Sequence, residues 1–310
     1  MTSIHKTVLL NEAIDGLLAP HKVGNEKLVI VDATFGGGGH SSEICRRYPS
    51  VKILALDQDK STLERVESKF KELNCDFTFI NDNFRNVDKV LEKEGIEKVD
   101  GIIFDLGLSS DQLSPLAGGS GRGFSFLIDE PLLMTMKENP SSEDITAQDV
   151  VNTWEEESLA DIIYGYGEEK QARRIAKEIV EFRKKQEIKT TFDLVKIIEQ
   201  AIPAKFRKGN KRRIHFATKT FQAIRIAVND ELGALAEGLE KGFQFLKNGG
   251  RMSVISFHSL EDRIVKRFYK EKVAKGEGEL INKKVILAGE SEIKNNPRSR
   301  SAKLRILEKK

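Results

Sequence analysis

Apolar residues follow two rhythms along the chain. In the first third they form short runs rich in Val, Ile and Phe that end in acids: Leu28–Asp32, Lys52–Asp57, Phe77–Asp82 and Gly101–Asp105. Such runs predict buried strands. Between them, apolar residues step at helical spacing, as in Leu63, Val66, Phe70 and Leu73. Strand and helix in alternation predict a parallel sheet covered on both faces. After Ser110 the alternation stops. Helical stripes follow at 145–151, 159–163, 172–182 and 192–201, with Tyr164-Gly-Tyr-Gly167 and Ile202-Pro203 as breaks. Phe221, Ile224, Val228, Leu232, Leu235, Leu239, Phe243 and Leu246 then predict one long helix, ended by Asn248-Gly-Gly250. A fifth strand is predicted at 251–257, and two more at 284–288 and 303–307. The pattern therefore gives a discontinuous α/β domain, 1–110 and 216–310, with a helical domain inserted at 111–215.

The first strand runs into Asp32-Ala-Thr-Phe-Gly-Gly-Gly-Gly-His40. Four glycines let the backbone turn tightly and approach a bulky group, because no Cβ intervenes. Ser41 and Ser42 suit the start of a helix. Strand, glycine turn and helix form the nucleotide-binding corner of a doubly wound sheet. The spacing is not that of a P-loop, G-x-x-x-x-G-K-[ST]. It is not G-x-G-x-x-G either, since the sixth position from Gly36 is Ser41.

In a doubly wound sheet, ligands sit beyond the carboxyl ends of the strands. Asp57 stands where a carboxylate accepts hydrogen bonds from ribose hydroxyls, a need shared by NAD and S-adenosylmethionine. Asp59 suits a helix cap. Asp82 or Asn83, and Asp105, end the next two strands. Any one of these acids could simply terminate a strand; four suitable strand ends together point to a ligand.

With 310 residues, the chain allows one large or two smaller domains. It is 39% hydrophobic and 32% charged, as globular proteins are. The net charge of +3 does not by itself indicate a nucleic-acid partner. Its distribution says more. Lys205 to Arg213 holds six basic residues in nine, Lys211 and Arg212 among them. Lys294 to Lys310 holds seven, including Arg298 and Arg300, against one acid. Such clusters are footprints for phosphate backbones. Cys45 and Cys75 have no partner at zinc spacing, so no metal site is expected. The pair fits a reducing compartment without a disulfide framework. No apolar run approaches 18 residues and no signal-peptide core begins the chain, so a cytoplasmic location and no membrane are expected.

Several blocks in order resemble one family. They are His5-Lys-Thr-Val-Leu-Leu10, Asp32 to His40, Asp105-Leu-Gly-Leu-Ser-Ser110, Arg122-Gly-Phe-Ser-Phe126, Thr218 to Leu232, Ser256-Phe-His-Ser-Leu-Glu-Asp262 and Asn296 to Arg305. Together the chain resembles the ribosomal RNA small subunit methyltransferase H family. The resemblance implies a Rossmann-like class I S-adenosylmethionine-dependent methyltransferase with an inserted helical domain. It implies methylation of the exocyclic N4 of one cytidine in the decoding region of 16S rRNA, with the rRNA or the small ribosomal subunit as partner. By position it assigns cofactor binding to Gly38, Gly39, His40, Asp57, Phe84, Asp105 and Gln112. Oligomeric state stays open, a homodimer being one option. The chain departs from the family at Leu133 and Thr135, where an acid and a base are usual, and at Phe216, where proline is usual. The first two departures bear on substrate handling.

Methyl transfer from a sulfonium is an in-line displacement, and the protein chiefly positions donor and acceptor. The N4 amine is a weak nucleophile because its lone pair is delocalised into the ring. An acceptor for its N–H would help: Asp105, a carbonyl near Leu106, or Ser109. His258, just beyond the fifth strand, is a second catalytic candidate and equally a helix N-cap. A base in structured RNA must be splayed out before reaction. Arg122, Phe124 and Phe126 could hold it, and the basic residues Lys211, Arg212, Arg298 and Arg300 could hold phosphates. Competing readings are a methyltransferase for another substrate, a non-catalytic RNA-binding assembly factor on the same scaffold and, least favoured, a nicotinamide oxidoreductase.

Overall fold

The computed structural model describes residues 6–19, 27–73, 75–108, 120–204 and 215–310. The chain divides into two compact units, 1–109 with 232–310, and 110–231.

The first unit is built on one sheet. Its strands are β1 (Val29–Asp32), β2 (Lys52–Leu56), β3 (Asp76–Ile80), β4 (Val99–Asp105), β5 (Leu246–Ser256), β6 (Gly278–Leu280), β7 (Ile286–Leu287) and β8 (Lys303–Lys309). The order is β3-β2-β1-β4-β5-β8-β6, with β7 also on β8. The first five strands are parallel; β8 is antiparallel to β5, β6 and β7. Order reverses at β1, so the crevice for a ligand opens between the carboxyl ends of β1 and β4.

Helices cover both faces of the sheet. On one face lie α1 (Leu10–Leu18), α2 (Gly39–Arg47) and α3 (Ser61–Leu73), where Ile14, Leu17 and Ile44 bury against Ile30, Ile53 and Ile103. On the other, α4 (Val87–Lys93) contributes Val90 and Leu91. Two later helices complete that layer, Leu235 and Leu239 coming from one and Val265 and Tyr269 from the other. Each such side chain contributes roughly 1.5–3 kcal/mol when fully buried. β1, β2 and β4 are apolar on both sides, as two covered faces require.

Four expectations change. The single helix expected over 221–246 is two: Thr218–Asn229 and Glu231–Phe245, divided at Asp230, whose φ is 44°. Asn248-Gly-Gly250 does not end a helix. It forms an irregularity inside β5, where Val99 pairs with Leu246 but Gly101 pairs with Arg251. Gly249, at φ 80°, permits it. The short β6 adds an eighth strand; three residues carry too little periodicity to be read from sequence. The cysteines also differ from the expectation. Cys45 on α2 and Cys75 before β3 form a disulfide, with Cα atoms 5.8 Å apart. The two residues stand 30 apart in sequence, and only the packing of α2 and α3 beside β3 brings them together.

In the second unit lie α5 (Ala147–Thr153), α6 (Glu156–Gly165), α7 (Ala172–Arg183), α8 (Thr191–Ala201) and α9 (Thr218–Asn229). Thr146 with Asp149, and Thr190 with Asp193, form capping boxes that start α5 and α8. Leu159, Ile163, Ile175, Ile179, Leu194 and Ile198 are fully buried. The unit ends at Glu231, not at 215, because α9 packs against α5 and α6. The first unit resumes with α10 (Glu231–Phe245), followed after β5 by α11 (Ser259–Ala274) and then α12 (Glu290–Asn295).

Candidate active site

As β1 leaves the sheet, its hydrogen bonds divide between two neighbours. Ala33 N–H still donates to Ile103 O on β4, whereas Phe35 N–H donates to Leu56 O on β2. Thr34 lies at the fork. Its hydroxyl oxygen accepts the Asp105 N–H at 2.6 Å, replacing the backbone acceptor that the departing strand withdraws. Two residues later, Gly36 N–H donates to Asp57 Oδ2 at 2.7 Å. The glycine turn is thus bonded to the residues that end both neighbouring strands.

The turn needs its glycines. Gly36 and Gly38 have φ of 49° and 64°. A methyl group at Gly38 would also stand 2.8–2.9 Å from the rings of Phe70 and Phe35. At Gly39, the first residue of α2, a methyl would fall 1.7 Å from Thr7 Oγ1. Thr7 therefore lies directly on the helix start. Its segment is fastened by the far end of the chain: Asn296 Nδ2 donates to Lys6 O, Lys6 Nζ to Asn295 O, and Leu9 N–H to Glu292 Oε1. Two blocks almost 290 residues apart in sequence meet beside the glycine turn. Arg298 and Arg300 stand exposed on the 3-10 turn that follows.

Three carboxyl groups gather at the strand ends. Asp32 is buried and accepts from Ser41 Oγ at 2.6 Å and Thr34 N at 3.2 Å. Burial pushes its pKa up to about 6, against the pull of those hydrogen bonds. Asp57 is likewise pushed up to about 6, mainly by burial, while the Asp59 and Gly36 amides oppose the rise. Asp105 is raised well above the usual range by burial, then by the charges of Asp32 and Glu261. Its side chain keeps 17% of its surface exposed, and His40 Nδ1 lies 3.6 Å from its Oδ2. Asp105 Oδ1 has no hydrogen-bond partner among the described residues. Asp59 is a cap, accepting from Ser61 N and Oγ at the start of α3.

Phe84 opens a short 3-10 turn, its ring edge-on to Phe104 at 5.6 Å and seated over Gly238 of α10. A methyl at Gly238 would lie 2.8 Å from that ring. The ring is half-buried at the end of the sheet that carries Asp57 and Asp105.

Two of the predicted side chains take local structural roles. His258 is the N-cap of α11. Its Nδ1 accepts Glu261 N–H at 3.4 Å, and Glu261 Oε2 accepts the amides of Phe257 and His258 at 2.8 and 3.2 Å. This is the cap alternative, made through Nδ1; Nε2 lies 3.1 Å from Glu261 Oε1 and takes no part in the cap. Arg122 is buried, 7% exposed, and its guanidinium donates to the carbonyls of Met136 and Thr135 and lies over Phe124. It braces the 131–136 segment rather than a substrate. Phe126 stacks on His215 at 4.5 Å, so it is also engaged. At the family departures, Thr135 is buried, with its hydroxyl donating to Lys137 O, and the Leu133 amide donates to Pro131 O. Ser109, Gln112, Lys211 and Arg212 lie outside the described residues.

Sequence reading passed over Thr34 and Glu261, and it took Ser41 and Ser42 for the helix start, whereas α2 begins at Gly39 with Gly38 as its N-cap and Ser41 Oγ donates to Asp32. The Glu261 cap has a local signal, His258-Ser-Leu-Glu261, akin to a capping box. Thr34 had none, since its partner lies 71 residues away.

The site can hold a nucleoside-bearing cation. The open turn at Gly36, where a methyl would meet nothing nearer than 3.9 Å, admits a bulky group. The first-turn amides of α2 lack intrahelical acceptors and can receive a carboxylate. Asp57 and Asp105, the latter with a buried oxygen lacking a hydrogen-bond partner among the described residues, supply acceptors for hydroxyls and for positive charge.

The model of the MraW methylase family matches residues 2–310. A relative from Persephonella marina named "Ribosomal RNA small subunit methyltransferase H" is 47% identical over 277 residues, covering 89% of this chain and 91% of its own. Relatives of the same name from Limosilactobacillus fermentum and Acetivibrio thermocellus are 43% and 45% identical, each alignment covering 98% of both chains.

Proposed function

Because the chain belongs to the MraW methylase family, we propose that it methylates the exocyclic N4 of one cytidine in the decoding region of 16S rRNA, with S-adenosylmethionine as donor. The partner is small-subunit rRNA or the small ribosomal subunit, and the compartment is the cytoplasm.

The observation that carries this reading is Asp105. Its carboxyl group stands at the switch point, with one oxygen lacking a hydrogen-bond partner among the described residues, next to a glycine turn that its own amide helps to hold. S-adenosylmethionine supplies a methyl group on a sulfonium sulfur. Gly38 and Gly39 give the backbone room at its methionine end, and the α2 amides receive the carboxylate. Asp57 receives the ribose hydroxyls, and Phe84 covers the base. The Asp105 carboxyl group would accept a hydrogen bond from the acceptor amine and raise electron density on its nitrogen. Positioning of this kind contributes roughly 7–11 kcal/mol to a two-partner reaction. Methylation at cytosine C5 requires a cysteine nucleophile, and Cys45, buried on α2, and Cys75, at the amino end of β3, both lie away from the carboxyl ends of the strands.

The test is mass spectrometry of nucleosides from small-subunit rRNA in cells with and without the protein. Loss of N4-methylcytidine, restored by wild type and not by Asp105→Ala, is expected. An unchanged level would overturn the substrate assignment.

A further inference from the structure

Helix α11 begins at the same edge of the sheet as Asp105, because β5 is parallel to β4 and pairs Ile255 with Asp105. Its inward side carries Leu260, Val265, Tyr269 and Lys272, all buried. Its outward side carries Arg263, Lys266, Arg267 and Lys270, all exposed. At 100° per residue these four fall within one stripe about 100° wide, spaced i, i+3, i+4 and i+7. Ser259 and Ala274 extend the stripe at its two ends. No acid of the helix falls within it. Asp262 and Glu271 lie to either side, bonded to Arg305 and Lys275.

Like charges at i,i+3 and i,i+4 destabilise a helix. The stripe contains four such pairs: Arg263 with Lys266 and with Arg267, and Lys270 with Lys266 and with Arg267. A purely structural helix gains from mixed signs on its solvent face, as α2 shows with Glu43, Arg46 and Arg47. A single-sign stripe is favourable when a polyanion neutralises it.

We infer that the exposed face of α11 is a docking surface for the phosphate backbone of the RNA substrate, leading away from the strand edge that holds Asp105. The stripe rises about 10 Å along the helix, and its cations carry no base-reading geometry. It therefore contributes affinity and orientation rather than sequence choice. The inference rests on the RNA reading above and adds a contact surface, on the α/β unit, to the two basic clusters of the sequence.

The test uses the full-length protein with all four residues changed: Arg263→Gln, Lys266→Gln, Arg267→Gln and Lys270→Gln. Binding of a small-subunit rRNA fragment is measured as a function of salt, beside S-adenosylmethionine affinity and thermal stability. Each lost phosphate contact lowers the slope of log affinity against log salt by roughly 0.7–0.9, so four contacts lower it by about 3. The expected result is that drop, a raised KM for RNA, unchanged S-adenosylmethionine affinity and a melting temperature no lower than wild type. A second variant, Arg263→Lys with Arg267→Lys, keeps the charge and should keep the slope. Unaltered slope and KM in the glutamine variant, with wild type methylating rRNA, would overturn the surface alone. Wild type without rRNA methylation would overturn the RNA reading and this inference with it.

Discussion

Replacing Thr34 by valine tests how the strand ends are held. Valine keeps the branched shape and volume but removes the oxygen that accepts the Asp105 amide at 2.6 Å. No backbone carbonyl takes over, because β1 has already turned toward Leu56. A buried amide left without a partner costs about 1–3 kcal/mol. For a domain of 150–250 residues, each kcal/mol lowers the melting temperature by about 2–4 °C. Asp105 also loses its register against the glycine turn, so S-adenosylmethionine binding should weaken about tenfold, equivalent to about 1.4 kcal/mol. Thr34→Ser retains the acceptor and should behave nearly as wild type in both measurements. Scanning calorimetry and isothermal titration read the two quantities. A valine variant that melts and binds as wild type does would refute the fork as a positioning device.

Other outcomes follow from the same geometry. Gly38→Ala forces a left-handed φ on alanine, costing about 1–2 kcal/mol, and adds a close approach to Phe35 and Phe70; it should abolish detectable cofactor binding in titration while the fold survives by circular dichroism. Asp32 titrates near 6 in the folded protein against 3.8 ordinarily, so the folded state holds the proton more tightly. Its contribution should decline by about 3 kcal/mol at most as pH rises from about 4 to about 6, and urea melts of Asp32→Asn should show a shallower decline than wild type, the remainder coming from Asp57 and Asp105. Reducing Cys45–Cys75 reopens a loop of about 30 residues, worth about 3–4 kcal/mol in the chain-entropy account; melting with and without dithiothreitol should differ by several degrees, and Cys75→Ser should melt like the reduced protein.

Much of the α/β unit was legible because its signals are local. The four apolar runs ending in Asp32, Asp57, Asp82 and Asp105 mark strands and their carboxyl ends whatever lies around them. The glycines after β1 announce a turn because glycine adopts φ near 50–64° at little cost, where most other residues are strained. Asp59 could be separated from Asp57 as a helix cap because a helical stripe begins just after it. Where tertiary packing chooses between local options, the pattern misled. An unbroken helical period runs through Asp230, yet the chain turns there, since Thr218–Asn229 packs with the helical unit and Glu231–Phe245 with the sheet. Arg122 has the composition of a ligand for RNA, but a guanidinium seven per cent exposed between two carbonyls is a brace. The Cys45–Cys75 bond, the Thr34–Asp105 hydrogen bond and the fastening of Lys6 to Asn296 join residues 30, 71 and 290 positions apart. Sequence periodicity reports which face of an element is buried and where the chain can turn; which distant partner fills that face is decided only when the layers pack.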